Sequence, residues 1–113
     1  MKLIVAYIQP HKLTQVKESL FAKDIHKISI TNALGCGQQK GYEEHYRGIT
    51  MEVNLLKKIR LEIAVNDEFV DTTIDAIIAG SRSNSIGDGK IFVYPIERCI
   101  RIRNGDSGES AIG

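Results

Sequence analysis

Residues 58–80, KIRLEIAVNDEFVDTTIDAIIAG, contain the pattern that decides the fold. Apolar and polar residues alternate over 59–65, which predicts a strand with one buried face. Apolar residues then recur three and four positions apart, which predicts an amphipathic helix that begins near Glu68 and stops at Gly80. We expect the buried stripe of this helix to contain Val70, Ile74, Ile77 and Ile78.

The same order of elements occurs on both sides of this segment. Upstream, alternation and helical spacing predict a strand, a helix and a second strand, and downstream they predict a final strand. Two successive βαβ units of this kind give an α+β, ferredoxin-like sandwich with four antiparallel strands and two helices on one face. The predicted bounds are 2–9 (strand), 12–22 (helix), 27–33 (strand), 51–56 (a strand that precedes 59–65) and 90–95 (strand).

One face of such a sheet is left without helices. Leu3, Val5 and Tyr7 or their neighbours would lie on it, and apolar sheet faces are rarely left in water. A chain of 113 residues also buries a modest share of its surface. We therefore expect several copies to assemble.

Two polar segments interrupt the pattern, and a third ends the chain. Residues 34–50 contain four glycines among polar residues and follow neither period. Loops of this length in compact domains are usually functional. Residues 81–90 form a second loop, and residues 104–113 form a polar tail that we expect to be mobile.

Composition excludes several classes of protein. The formal net charge is +1, without a polybasic block, so a nucleic-acid binder is not expected. No run of 18 apolar residues or signal-peptide pattern is present, which favours a cytoplasmic protein. Cys36 and Cys99 match no metal pattern and are expected to be free thiols.

Residues 87–90, GDGK, lie just before the last predicted strand. Two glycines allow close approach of the backbone to a ligand, and the lysine can place an ammonium on a phosphate. The segment is not a P-loop, because Asn84 stands at the first glycine position and Ile91 follows the lysine. A simple tight turn remains the alternative.

Arg101 and Arg103 are two residues apart in an alternating stretch, 97–103. On a strand they would share a face, where two guanidinium groups suit a phosphate. A solvated face, or pairing with Glu62, is the alternative. The three histidines have no common spacing and are expected to be surface residues.

Taken together, these stretches resemble the PII signal-transduction family. GDGKIF and RIR at this separation, behind two βαβ units, are specific to that family. The matching stretches are 37–41 (GQQKG), 46–48 (YRG), 58–65 (KIRLEIAV), 83–93 (SNSIGDGKIFV) and 98–103 (RCIRIR).

The resemblance implies a homotrimer that binds ATP or ADP in clefts between subunits. Lys90 and the arginines would contact phosphates, Ser29 and Glu62 would line the base and ribose region, and Gly35 would start the loop that passes the phosphates. The implied nucleotide-binding residues are Ser29, Gly35, Gly37, Gln38, Glu62, Ala64, Gly87, Asp88, Gly89, Lys90, Arg101 and Arg103.

The resemblance also implies an effector and an output. Mg²⁺ with ATP would recruit 2-oxoglutarate, and Gln39 would complete the metal shell. The implied 2-oxoglutarate-binding residues are Gln39, Lys40, Gly41 and Lys58. Residues 36–54 would be the family's T-loop, which docks on partner proteins and here includes Tyr46, Arg47 and Gly48.

The chain departs from the family's pattern at several positions. Met51 stands where the modified loop tyrosine would be, and Ile49 replaces a serine that some relatives phosphorylate, so we expect no covalent modification at either position. Gln38 stands where many relatives have arginine, Lys57 replaces a proline, and 83–85 is unusual. The preference between ATP and ADP is therefore left open.

The first functional hypothesis is a regulator, not an enzyme, whose first target is an ammonium transporter. Nitrogenase machinery or an enzyme of nitrogen or carbon metabolism is an alternative target. A slow ATPase is an alternative of a different class, although no general base is evident. A metal-tolerance trimer would need ligands that the scattered histidines do not supply.

Overall fold

The computed structural model describes residues 1–35, 42–46, 49–53 and 55–113, and within 42–53 it describes the backbone alone. Its six strands are β1 (Lys2–Ile8), β2 (Ser29–Gly35), β3 (Tyr42–Tyr46), β4 (Ile49–Val53), β5 (Leu56–Val65) and β6 (Gly89–Pro95). Its helices are α1 (Leu13–Phe21), α2 (Val70–Ser81) and α3 (Glu109–Ile112), and 3₁₀ turns at Pro10–Lys12 and Asp67–Phe69 lead into α1 and α2.

The main sheet has four antiparallel strands in the order β2-β5-β1-β6. β5 pairs with β1 from Lys2↔Val65 to Ile8↔Ile59, and β6 pairs along the other side of β1 from Lys2↔Pro95 to Ile8↔Gly89. With α1 and α2 packed on one face, this is the predicted α+β, ferredoxin-like arrangement. β3 and β4 pair in a separate two-stranded sheet.

The core lies between the helices and one face of the sheet. Because strand side chains alternate in direction, every second residue of β1 and β5 points toward the helices. These residues are buried together with Val16 and Leu20 of α1 and Ala76 and Ile77 of α2. The buried strand residues are Ile4, Ala6 and Ile8 on β1 and Ile59, Leu61, Ile63 and Val65 on β5.

The predicted helix stripes were partly wrong. Ile77 is buried as expected, but Thr73 and Ala76 are more buried than Val70 and Ile74, which pack at the edge of the core. Thr73 can be buried because its hydroxyl donates to the carbonyl of Phe69 at 2.7 Å.

Gly80 does not stop α2, which continues to Ser81. A Cβ at Gly80 would lie 2.6 Å from Cα and 2.8 Å from N of Val16 on α1. The glycine is therefore where the backbones of the two helices approach each other. The prediction failed because glycine here serves contact between helices, which helical spacing does not reveal.

Three further boundaries differ from the predictions. The second strand runs from Ser29 to Gly35, and residues inside the predicted long loop form the β3–β4 hairpin. The alternating stretch 97–103 is not a strand: 102–104 is a turn, and only Ile100 forms an isolated bridge, to Ser107. The segment that follows is folded and ends in the one-turn helix α3.

Candidate functional site

The face of the sheet that carries no helix, here called the open face, holds most of the candidate strand residues. Directly paired residues point to the same side, so the register assigns the residues of the open face. Val5 lies at its centre, 2% exposed, between Glu62 of β5 and Phe92 of β6. The open face contains Leu3, Val5, Tyr7, Ser29, Thr31, Ala33, Lys58, Arg60, Glu62, Ala64, Lys90, Phe92 and Tyr94.

The loop between α2 and β6 is organised around Asp88. Its carboxylate accepts hydrogen bonds from the Ser83 hydroxyl, from the Ser83 N–H at 2.7 Å and from the Ser85 N–H at 3.4 Å. These donors, the Ser83 hydroxyl foremost, hold the pKa of Asp88 below its usual value of 3.8. The Asp88 carboxylate therefore holds the loop together, and its negative charge is already stabilised by hydrogen bonds from within the loop.

Two side chains fasten the loop to the end of the sheet. The Gln9 amide and the Lys58 ammonium both donate to the carbonyl of Gly87, at 3.0 and 3.1 Å. Gly87 has a φ of +98°, which glycine adopts without strain. The carbonyl of Gly87 therefore links the loop to the ends of β1 and β5.

Gly89 begins β6 with a φ of +112°. A Cβ at this position would overlap the carbonyl oxygen of Tyr7. Lys90 follows on the open face, opposite Tyr7. Gly35 lies at the same end of the sheet, since a Cβ there would be 3.7 Å from Cγ of Lys58. We call this set of residues the glycine end: Gly35, Lys58, Gly87, Asp88, Gly89 and Lys90.

The other candidates lie toward the opposite end of the open face. Ser29 is paired with Glu62 across β2 and β5, and the Glu62 carboxylate forms an ion pair with the Arg60 guanidinium. Ala64 lies two residues further along β5 and is exposed. Glu62 is therefore paired with Arg60, and not with Arg101 or Arg103.

Arg101 and Arg103 do not share a strand face, which corrects the prediction. Arg103 lies in the turn 102–104 and is exposed. The Arg101 side chain is 26% exposed and binds Asp106 and carbonyl groups of the tail. Asn66 and Lys27 in turn hold the tail near the end of β5 and the start of β2, by bonds to the carbonyls of Glu109 and Gly113.

We call this second set the arginine end: Ser29, Glu62, Ala64, Arg101 and Arg103. Glu62 and Ala64 are four and six residues from Lys58 on β5, which at roughly 3.3 Å per residue is about 13 and 20 Å. The structure therefore gathers the candidates into two groups, and a single chain does not bring the two groups together.

Both groups can bind an anion. The glycine end offers an ammonium on Lys90, a second ammonium on Lys58 that contacts only a neutral carbonyl among the described residues, and a backbone rich in glycine. The arginine end offers two guanidinium groups. A ligand with several negative charges suits such a combination.

Several predicted residues lie outside what the structure describes. They are Gly37, Gln38, Gln39, Lys40, Gly41, Arg47 and Gly48, and Tyr46 is described by its backbone alone. Among the described residues, no group of three or more histidine, cysteine or acidic side chains could hold a metal ion.

Two residues with direct contacts at the site were not predicted. Gln9 donates to Gly87, and Asp106 pairs with Arg101. Nothing in their spacing marks them, because each contact joins segments that only the folded chain brings together.

The described helices include none that is long and apolar enough to cross a membrane.

Comparison with known proteins identifies a matching family. The family model described as "Nitrogen regulatory protein P-II" matches residues 1–106. The chain is 51% identical over 112 residues to the nitrogen regulatory protein P-II of Haemophilus influenzae, covering 99% of this chain and all of that protein. It is 45% identical to the nitrogen regulatory protein GlnK1 of Methanosarcina mazei, covering 99% of this chain and 97% of that protein.

A solved structure shares the fold. Arabidopsis thaliana PII bound to citrate matches with a TM-score of 0.80 and 30% identity, over 98% of this chain and 88% of that one. The relatives are named as regulatory proteins, which agrees with a role in signalling. On the family match, the relatives and the shared fold, the chain belongs to the nitrogen regulatory protein P-II family.

Proposed function

We propose that the protein senses ATP or ADP together with 2-oxoglutarate, and that it controls a target protein through residues 36–54. One observation carries this proposal. The candidate residues divide between a glycine end and an arginine end of one open face, so a second copy is needed to bring the two ends together. Such a division is what a site between subunits requires.

The open face supports assembly as a homotrimer. Phe92 and Tyr94 are 43% and 51% exposed, beside Leu3, Val5 and Tyr7. An apolar face of this kind on a small domain is normally covered, and in this fold no described helix covers it. Copies of the same sheet can cover one another and, in the same step, place the glycine end of one copy against the arginine end of the next.

The nucleotide would lie across this junction. Lys90 and the backbone of 87–89 would contact its phosphates from one copy, and Arg101 and Arg103 from the neighbour. Ser29, Glu62 and Ala64 would face its ribose and base. Arg60 pairs with Glu62 and would hold that carboxylate in place for a ribose hydroxyl.

The effector would bind next to the phosphates. Lys58 bonds a neutral carbonyl, which a carboxylate of 2-oxoglutarate can replace with a stronger, charge-assisted bond. Gln39, Lys40 and Gly41 would supply the remaining contacts. Mg²⁺ bound to ATP would offset the repulsion between the two anions, so the two ligands would bind cooperatively.

The output would be the arm between β2 and β5, residues 36–54, including Tyr46, Arg47 and Gly48. Gly35, at the glycine end, leads directly into it, so a bound ligand can change its conformation. An ammonium transporter is the first candidate target, as the resemblance implies. Nitrogenase machinery or a metabolic enzyme is the alternative target.

A slow ATPase fits the described residues less well. The acidic side chain of the glycine end is Asp88, and its carboxylate accepts hydrogen bonds from the N–H and the hydroxyl of Ser83 within its own loop. The residues that make up the glycine end include no other carboxylate and no histidine to activate water. Regulation by binding is therefore the better account.

Calorimetry tests the proposal. We expect ATP·Mg²⁺ to bind the wild-type protein, 2-oxoglutarate to bind only when ATP·Mg²⁺ is present, and Lys90→Ala to weaken ATP about tenfold or more, since a charge-assisted bond is lost. The matched control is Lys17→Ala, which removes the same charge from a half-buried position on α1. Equal affinity of ATP for the wild type and Lys90→Ala would contradict the proposed site.

A further inference from the structure

We propose that the protein's own C-terminal segment competes with the nucleotide for Arg101, with Asp106 standing in for a phosphate. This inference rests on the proposed nucleotide site and adds a means of regulating it. It is carried by the contacts that the Arg101 side chain makes with the tail.

Three of the five N–H donors of the Arg101 guanidinium are bound by the tail. Nη1 donates to the Asp106 carboxylate at 3.2 Å, and Nη2 donates to the carbonyls of Ser110 at 2.6 Å and Gly113 at 3.1 Å. Nη1 and Nη2 form one of the edges through which a guanidinium can bind a phosphate bidentately. A phosphate can use this edge only after the tail has left it.

Hydrogen bonds within the tail position Asp106 for its contact with Arg101. The Asn104 side chain accepts from the N–H of Asp106 at 3.0 Å and donates to the Asp106 carboxylate at 3.0 Å, which aims that carboxylate at Arg101. The backbone N–H of Arg101 also donates to the carbonyl of Asp106 at 2.7 Å. Asp106 therefore holds both the backbone and the side chain of Arg101.

The contact is suited to displacement. Asp106 supplies one negative charge and the Ser110 carbonyl is neutral, whereas a nucleotide supplies several charges. The backbone bonds of the tail, such as that from the Gly108 N–H to the Cys99 carbonyl at 3.0 Å, lie within 99–113, and its side-chain anchors to the sheet, Lys27 to Gly113 and Asn66 to Glu109, are exposed hydrogen bonds of 2.9 and 3.2 Å. Exposed bonds of this kind contribute little, so the tail can leave without disturbing the core.

Arg103 offers a contrast. Its side chain forms no hydrogen bond or ion pair with the part of the chain that the structure describes, and it is exposed. Of the two arginines, only Arg101 must exchange partners. Competition at one of the two arginines weakens nucleotide binding without preventing it, because Arg103 and the glycine end keep their phosphate contacts.

The test compares Asp106→Ala with Asp75→Asn. Both variants lose one negative charge, and Asp75 lies exposed on α2, away from both ends of the open face. We expect Asp106→Ala to bind ATP·Mg²⁺ about fivefold more tightly than the wild type, by calorimetry, and Asp75→Asn to bind as the wild type does. An affinity for Asp106→Ala within about twofold of the wild type would overturn the inference.

Hydrogen exchange supplies a readout that does not depend on affinity. In the wild type, saturating ATP·Mg²⁺ should speed exchange in the peptide 104–113, and Asp106→Ala should do so without nucleotide. A peptide that stays equally protected in either case would overturn the inference. If the wild type binds no ATP, the proposed function fails as well, whereas tight binding with an unmoved tail contradicts this inference alone.

Discussion

Gly89 joins the glycine end to the sheet through a conformation that other residues rarely adopt. Its φ is +112°, and a Cβ there would overlap the carbonyl oxygen of Tyr7. That oxygen belongs to the backbone of the central strand β1, so it cannot move aside without breaking strand pairs. The position therefore requires glycine for two separate reasons.

Gly89→Ala tests both reasons, and Gly105→Ala is its matched control. Gly105 also has a positive φ, +75°, but no atom lies within 4 Å of where its Cβ would be. We expect Gly105→Ala to cost about 1 kcal/mol from backbone strain alone. Gly89→Ala should cost about 3 kcal/mol or more, because the clash adds to that strain. Urea denaturation measures both, and equal losses would show that the approach to Tyr7 is unimportant.

Asp88 gives the loop a dependence on pH. Its pKa is lowered because the Ser83 hydroxyl and nearby N–H groups bind the charged form. A lowered pKa in the folded protein means that the tie is complete above the usual carboxyl value of 3.8 and is lost as the pH falls through the lower, folded value. The loop should therefore be intact at neutral pH and loosen only in acid.

NMR titration of the Ser83 amide checks this dependence. We expect its chemical shift to change with a midpoint below pH 3.8 in the wild type, and with a midpoint closer to 3.8 in Ser83→Ala. The Ser83→Ala variant keeps the backbone donors but loses the largest cause of the shift. A wild-type midpoint at or above 3.8 would contradict the role given to this hydroxyl.

Among the elements, the contact between α1 and α2 sets how closely the helix layer packs. Gly80 lies within α2, and a Cβ there would be 2.6 Å from Cα of Val16. Alanine favours helices over glycine by about 1 kcal/mol, so propensity and packing oppose each other at this position. Packing should outweigh helix propensity, because the atoms that an alanine Cβ would approach belong to the backbone of α1.

Gly80→Ala should lower the free energy of unfolding by about 2 kcal/mol despite the better helix propensity. The control is the neighbouring exposed residue: Ala79→Gly should cost about 1 kcal/mol through propensity alone. Thermal or urea unfolding measures both variants. A more stable Gly80→Ala protein would show that the two helices have room to separate.

Periodicity predicted the elements whose burial follows a regular repeat. β1, β5 and both long helices lie within a few residues of their predicted bounds, because the core face of each repeats every two residues or every three to four. The prediction failed where long-range contacts decide. Gly80 serves contact between helices, and 97–103 alternates without being a strand, since the chain turns at 102–104.

In the candidate site, too, local sequence patterns predicted some features, and long-range contacts decided the others. The GDGK motif supplied Lys90 and its glycines as candidates, the family resemblance supplied Lys58 and the role given to Glu62, and alternation placed the strand residues on one face. Their separation into two ends could not be predicted, because it depends on the register of β5 against β1 and β2. Gln9 and Asp106 carried no signal, since both make contacts across the fold.

For the whole molecule, the open face is the surface that we propose is covered by other copies. Phe92 lies on it, 43% exposed and edge-on to Tyr7 at 6.4 Å between ring centroids. Phe21 is a matched residue on the helix side, 40% exposed. The two phenylalanines therefore separate the effect of position from the effect of residue type.

Phe92→Glu should dissociate the trimer into folded monomers, because it places a charge in an apolar interface. Phe21→Glu should leave the trimer intact. Native mass spectrometry measures the number of copies, and circular dichroism verifies that both variants are folded. A wild-type monomer, or a Phe92→Glu trimer as stable as the wild type, would contradict the use of the open face for assembly.

The central claim is that one copy's glycine end and another copy's arginine end form a single nucleotide site. The direct measurement is ATP binding by mixed trimers assembled from two defective variants, Lys90→Ala and the double variant Arg101→Ala with Arg103→Ala. Each variant alone should bind ATP poorly. A mixed trimer contains one junction with both ends intact, so we predict about one restored ATP site per mixed trimer. Mixed trimers that bind no better than either parent would contradict the claim.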